Sequence, residues 1–452
     1  MIYIGLIAGG ILLTRMVEVG RVKPLLSPTP VPTRTANSYT EEGKAFFSAG
    51  DMDAAIDAYE QAVLEEPNNG RIWAELARIQ TYSSELETNY ELRRNRLDGA
   101  ITSIDRAIVV APDDAIINAI KAFVYDWSAS ALDVRSEKEK LLNEAELAIV
   151  RANELGPEHP LILAYHAEIL IDQQKWAQAL DKIELAVSRI DQIEEELGDM
   201  KMDVYRVYGT VLENLGLYRR AIEEYERAAS ITPNLTFLYL RVGVNYRELL
   251  DYDKALEFFG LAAKINAQLN TELDQQDPVP YIAIGKTYSQ QGEFFAAAVN
   301  MARAVAINPS DPDLYGRLGI VYYKARNYES AIPVLRCAVE GCSENDSTGI
   351  LCEMGYADCG SGAGDSAAAG QQVEGLLLSN SSIEYYYTYA SALAYYSGTD
   401  QAPNGCAQAE TLHIQLLAQS EGDPIVLGIV EENREICIAA GPSEVEPTSE
   451  TP

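Results

Sequence analysis

From Ala36 to about residue 346, apolar and small residues recur at helical spacing in blocks, and the blocks themselves recur every 34 residues. Residues 202–235 give the clearest unit. Tyr205, Tyr208, Gly209 and Leu212 fall three or four apart and predict a first helix. Gly216 marks a turn, Ala221, Tyr225 and Ala228 predict a second helix, and Pro233 ends it. Two antiparallel helices joined so tightly must approach closely. Small residues such as Gly209, Ala221 and Ala228 therefore belong where the helices cross, with Tyr205, Leu212 and Tyr225 filling the space beside them.

The same spacing returns along the chain. It is carried by Tyr39, Gly43, Phe46, Ala55, Tyr59, Ala62 and Pro67 in residues 36–69, and by Leu163, Ala167, Ala179, Ile183 and Ala186 in 160–193. It follows in Tyr239, Gly243, Tyr246, Ala255, Phe259 and Ala262, where Ala267 stands in place of the terminal proline. Residues 278–311 repeat it through Tyr281, Gly285, Tyr288, Ala297, Met301, Ala304 and Pro309, and residues 312–346 through Tyr315, Gly319, Tyr322, Ala331, Leu335 and Ala338. Two further units, opened by Trp73 and by Ala122 and closed by Pro112 and Pro157, are 11 residues longer. That is close to three α-helical turns, so lengthened helices keep their packed faces in phase. These eight units resemble the tetratricopeptide (TPR) family, in which each unit is an antiparallel helix pair that buries its apolar face against its neighbours. The resemblance implies an all-α, right-handed TPR superhelical solenoid over 36–346.

Residues 347–440 read as degenerate helices closing the solenoid, with a Gly/Ala-rich stretch at 360–370 and a dense tyrosine run, Tyr385, Tyr386, Tyr387 and Tyr389, expected as an exposed patch. Residues 441–452 are expected to be a disordered tail. At the other end, residues 1–23 open with an uncharged apolar run through Leu13, the length of a signal-peptide core and short for a full membrane span. A membrane anchor or export signal is expected there, followed by a proline- and threonine-rich spacer over 24–35. Arg15, Arg21 and Lys23 follow the run instead of preceding it, which argues against export under the positive-inside rule; a start that omits a short basic segment would reconcile the two.

The net charge is −33, from 35 basic and 68 acidic residues, which argues against nucleic acid as the main partner. The six cysteines, Cys337, Cys342, Cys352, Cys359, Cys406 and Cys437, all fall in the last quarter of the chain. An even, clustered set without a C-x-x-C pair reads as disulfides in an oxidising compartment, with free thiols as the alternative and no metal site expected. The grouping points to Cys406 with Cys437. The expected location is therefore membrane-anchored and extracytoplasmic, with a secreted protein or the cytoplasmic face of the membrane as alternatives.

In the family this chain resembles, first helices line a concave groove that receives a partner peptide or helix. Carried onto this sequence, the groove positions include Arg206, Leu240, Arg241, Ile282, Lys286, Arg317 and Tyr323, with Asn245 beside them. Cations there favour an acidic or C-terminal carboxylate segment. Thr210 stands where the chaperone-tail clamp of the family has Asn, so that particular specificity is not implied. Of the three histidines, His159, His166 and His413, the two close ones lie next to a helix start and inside a first helix, where structural roles are expected over metal ligation, and no phosphate loop or nucleophile elbow occurs. No enzyme, metal or cofactor is expected. The sequence thus reads as a scaffold binding other proteins, with a self-associating envelope subunit or a regulatory subunit of a partner enzyme as alternatives.

Overall fold

The structure is a computed structural model describing residues 34–440 apart from 88–89, 133–134, 271, 274–275, 358–369 and 421. The expected anchor at 1–23, nearly all of the spacer at 24–35 and the tail at 441–452 lie outside the described residues.

Helices follow one another in antiparallel pairs, each packed on the next. The first pairs are α1 (Ala36–Ala49) with α2 (Met52–Glu65), α3 (Gly70–Ser83) with α4 (Tyr90–Val110), and α5 (Ala115–Ser130) with α6 (Arg135–Leu155). Next come α7 (Pro160–Asp172) with α8 (Trp176–Arg189), then a short α9 (Glu194–Leu197) leading to α10 (Lys201–Asn214) with α11 (Tyr218–Ile231). The solenoid continues through α12 (Thr236–Glu248) with α13 (Tyr252–Leu269), α14 (Val279–Gln291) with α15 (Phe294–Ile307), and α16 (Pro312–Lys324) with α17 (Tyr328–Val339). The closing helices are α18 (Glu344–Glu353), α19 (Ile383–Tyr395), α20 (Gly405–Gln419) and α21 (Pro424–Ala440). In both long units the second helix, α4 or α6, takes up the added length and reaches 21 residues.

The crossing of each pair is set by a small residue under a large one. A Cβ on Gly43 would fall 2.5 Å from the Tyr59 ring, one on Gly209 2.8 Å from Tyr225, and one on Gly243 2.5 Å from Phe259. Those rings are at most 1% exposed, and each buried aromatic contributes roughly 2–3 kcal/mol through the area it removes from water. Asp51, Asp114 and Asp251 cap α2, α5 and α13 by accepting backbone N–H groups, each stabilising its helix by about 1 kcal/mol. Proline sets helix length: α2, α11 and α15, each followed by Pro two residues on, have 14 residues, whereas α13, with Ala267 in that place, runs to 18.

The closing helices bury most of the tyrosine run, contrary to the exposed patch expected from its density. Tyr385, Tyr386 and Tyr389 are 6%, 6% and 2% exposed. Tyr385 lies over Gly316, where a Cβ would stand 2.7 Å from its ring, and donates to Asp313; Tyr386 donates to the Leu376 carbonyl at 2.7 Å. Two neighbouring surfaces, α16 on one side and the 376–378 segment on the other, use faces of α19 that one neighbour could not cover.

Candidate functional site

The first helices face inward, and in the N-terminal half they meet. Asp203 on α10 accepts hydrogen bonds from Arg78 Nη1 on α3 at 2.9 Å, from Tyr165 on α7 at 3.0 Å and from Tyr82. One helical turn further along, Arg206 forks onto Glu168 at 2.7 and 2.8 Å and donates through Nε to the Tyr82 hydroxyl at 2.9 Å. Trp127 Nε1 donates to Glu168 at 3.1 Å. Aromatic rings seal these layers: Tyr82 stacks on Phe237 at 5.2 Å, Phe123 on Tyr165 at 4.8 Å, and the Arg206 guanidinium lies 5.3 Å from the centre of Trp127. Asn234 Nδ2 reaches the Ser48 carbonyl at 3.3 Å, joining residues 186 apart. Gly50 at this seam has φ 85°, and a Cβ on it would collide with the Asn234 carbonyl oxygen. The winding thus closes one turn on itself from α1 to α12, and the concave face there is occupied by the protein's own side chains.

From α12 onward the concave face is open. Lys286 on α14 is exposed and makes no ion pair among the described residues. Partial burial, then the fields of Arg247 on α12 and Arg317 on α16, hold its ammonium below the usual lysine range against the opposing field of Glu248. Lys286 thus lies within the fields of a cation on the first helix before it and of one on the first helix after it. Arg317 is tied to Asp313 at 2.5 Å; Arg247 lies over the Phe259 ring at 5.7 Å, and its buried Nε has no hydrogen-bond partner. This arrangement can accept a carboxylate between Arg247 and Lys286.

The structure separates the residues that the sequence grouped. Arg206 is 4% exposed and committed to Glu168 and Tyr82, because closure of the turn covers it. Arg241 is half-exposed and reaches Glu213 at 3.3 Å and the Tyr225 hydroxyl at 3.4 Å. Asn245 is fully buried and donates to Glu213 at 2.9 Å. Tyr323 joins Tyr328 and Tyr395 in an aromatic cluster against the closing helices. Lys286 feels the field of Arg317, with Ile282 on the same helix as Lys286 and Leu240 on that of Arg247. Sequence reasoning missed Arg247, although it stands at the twelfth residue of the 236–269 unit, one of the groove positions.

Cys337 is bonded to Cys342 and Cys406 to Cys437; Cys352 is also disulfide-bonded, and Cys359 lies outside the described residues. Among the described residues no group of three or more His, Cys, Asp or Glu is placed to hold a metal, and no helix is long and apolar enough to cross a membrane. His159 caps α7 by accepting the Leu161 N–H, His166 contacts Asn153, and His413 lies between Glu410 and Asn433.

Repeated helix pairs around a concave wall define an α-helical repeat fold. The repeat is the tetratricopeptide repeat: models of that repeat match residues 40–81, 203–235 and 282–346. Chains of this repeat are protein–protein interaction scaffolds. The chain is 25% identical over 194 residues to the BBSome complex member BBS4 of Bos taurus, covering 41% of this chain and 35% of that protein's length. Among solved structures, the C-terminal part of a TPR protein from Cytophaga hutchinsonii covers 69% of this chain and 98% of its own at 13% identity and a TM-score of 0.42. A TPR protein from Thermus thermophilus covers 48% of this chain and 100% of its own at 16% identity and a TM-score of 0.37.

Proposed function

We propose that the protein is a scaffold that receives an acidic segment of a partner protein along the open half of its concave face, with Arg247, Lys286 and Arg317 as the recognising cations. The observation that carries this reading is the unneutralised Lys286 ammonium, crowded by two arginines in a chain of net charge −33. Holding like charges together is unfavourable unless an anion joins them, and a carboxylate would relieve the repulsion. Binding is then accompanied by proton uptake at Lys286 at alkaline pH, since an anion raises its depressed pKa. The test is fluorescence anisotropy of a labelled Glu-rich hexapeptide against its Gln counterpart. The Glu peptide alone binds, it weakens steeply with salt, and Lys286→Glu or Arg247→Glu abolishes binding; equal binding of the two peptides would refute the reading.

The reading includes attachment to the outer face of a membrane through residues 1–23. It is supported by the apolar run there and by the disulfides at the opposite end, which persist in oxidising compartments. Counting free thiols in exported and cytoplasmic fractions tests it: none in an exported, membrane-associated product supports it, and six reactive thiols in a cytoplasmic product refute it. One observation favours end-to-end self-association as the alternative: α20 and α21 leave Ile414, Ile425 and Ile438 at 62%, 67% and 80% exposed. Sedimentation that changes with protein concentration and is lost in Ile425→Glu/Ile438→Glu would favour that alternative.

A further inference from the structure

Beyond the Arg206–Glu168 layer, the closed turn leaves a cavity of about 290 Å³, lined among others by Asp126, Trp127, Asp172, Thr210, Phe237 and Arg241. Its two arginines are already engaged, Arg206 by Glu168 and Arg241 by Glu213. Carboxyl groups are left over. Asp126 is 2% exposed and shares a hydrogen bond with Asp172, yet its Oδ1 has no hydrogen-bond partner. A buried acceptor without a donor costs on the order of 1–3 kcal/mol, and the residue that carries it lines the cavity.

The groups around Asp126 explain why the acid is not neutralised from within. Asp172 and Glu168 face it from α7, and both oppose its ionisation. Across the cavity stand Arg206 on α10 and Arg241 on α12, each with its own carboxylate, and Glu85 after α3 is paired with Arg93. Lys138 on α6 is exposed, and its field is the weakest of those acting on Asp126. Burial first, then Asp172 and Glu168, keep Asp126 protonated well above the usual carboxylate range. The proton between Asp126 and Asp172 therefore takes the place a cation could hold.

We propose that this cavity is a binding site for a primary ammonium group of the kind carried by a lysine side chain, which displaces the proton shared by Asp126 and Asp172. The balance is simple: the ammonium brings one positive charge in, one proton leaves to solvent, and the cavity keeps its net charge. The carbon chain of such a ligand lies against Trp127, Phe237 and Ile171, which also line the cavity. The site is separate from the open cationic face and of opposite sign, so the scaffold reads acidic and basic segments at different places.

The full-length protein would be titrated by calorimetry with N-acetyl-lysine methylamide and with its norleucine counterpart, at acidic and alkaline pH and in buffers of differing ionisation heat. The lysine compound binds and the norleucine compound does not. Affinity rises with pH, and the buffer dependence reports release of up to one proton. Asp126→Asn weakens binding at least about tenfold and removes the proton release. Asp172→Asn gives the same result and serves where Asp126→Asn fails to fold by circular dichroism. Equal binding of the two compounds, no binding of either, or unchanged affinity and proton release in the folded Asn variants would overturn the proposal.

Discussion

Arg78 and Asp203 lie 125 residues apart in the chain and meet at 2.9 Å with side chains 2% and 0% exposed. Their contact, with the Tyr82 and Tyr165 hydroxyls completing the carboxylate's shell, fastens the second unit to the fifth. Arg78 also forks onto Glu75 at 2.6 and 3.0 Å, so losing the Asp203 charge removes one of its two carboxylate partners, which costs about 1.5–3 kcal/mol. Asp203→Asn should lower stability by that order in urea unfolding. Arg78→Met combined with Asp203→Leu should not recover the loss, since it leaves Glu75 without its cation and the Tyr82 and Tyr165 hydroxyls without their acceptor.

Glycines in the second half of the solenoid should divide by what lies above them. A Cβ on Gly243 meets Phe259 at 2.5 Å, whereas one on Gly260, in the middle of α13, meets nothing within 4 Å. Gly243→Ala should destabilise by about 1–3 kcal/mol through overpacking. Gly260→Ala should stabilise by about 0.5–1 kcal/mol by restricting the unfolded chain. Equilibrium unfolding of the two variants side by side checks the contrast.

The seam has its own pH dependence. Asp277, beside a cavity shared with Glu87 and Asp51, is buried with Oδ2 unpartnered, and burial, followed by the field of Glu87, pushes its pKa up from 3.8 to about 7 against the bond from the Val279 N–H. The folded state therefore holds this proton more tightly than the unfolded chain. Its favourable contribution is complete below pH about 4, declines through the range up to about 7 and is gone above it, a change of up to about 4 kcal/mol. Asp277→Asn should flatten stability across that window and leave the variant the more stable of the two at pH 8. Thermal melts from pH 4 to 8 provide the test.

Cys406 and Cys437 are 31 residues apart, and closing a loop of that size removes about 4 kcal/mol worth of unfolded-chain entropy. The bond ties the start of α20 to the end of α21. Cys406→Ser/Cys437→Ser should speed amide exchange across α19 to α21 while leaving α1 to α12 unchanged. Mass spectrometry of exchanged peptides distinguishes this from general loosening.

The helix pairs were legible because the contacts that define them are local: Gly209 and Tyr225, or Gly243 and Phe259, are 16 residues apart, and the period of the sequence is the period of the packing. Closure was not legible. It depends on the small rotation added at every unit, which brings Asn234 to Ser48 although neither residue stands out in sequence. Arg206 shows the result, since its repeat position places it on the inner wall and only the sum of the rotations decides that the wall is covered. The tyrosine run was misread for a related reason: helical periodicity describes one buried face, and α19 packs against α16, α17, α20 and α21.

Closure also changes how the chain must unfold. In a linear repeat array each unit touches only its neighbours, and the ends can peel away one pair at a time. Here the fifth unit holds the first through Asn234 and Ser48, and the second through Asp203 and Arg78. Those contacts span loops whose closing entropy must be met before any of them forms, so α1 to α12 behave as one slow-forming cooperative block. The helices after α13 remain free to fray stepwise. One polypeptide thus joins an all-or-none half to a graded half, and a protease would find its first cuts on one side of that line.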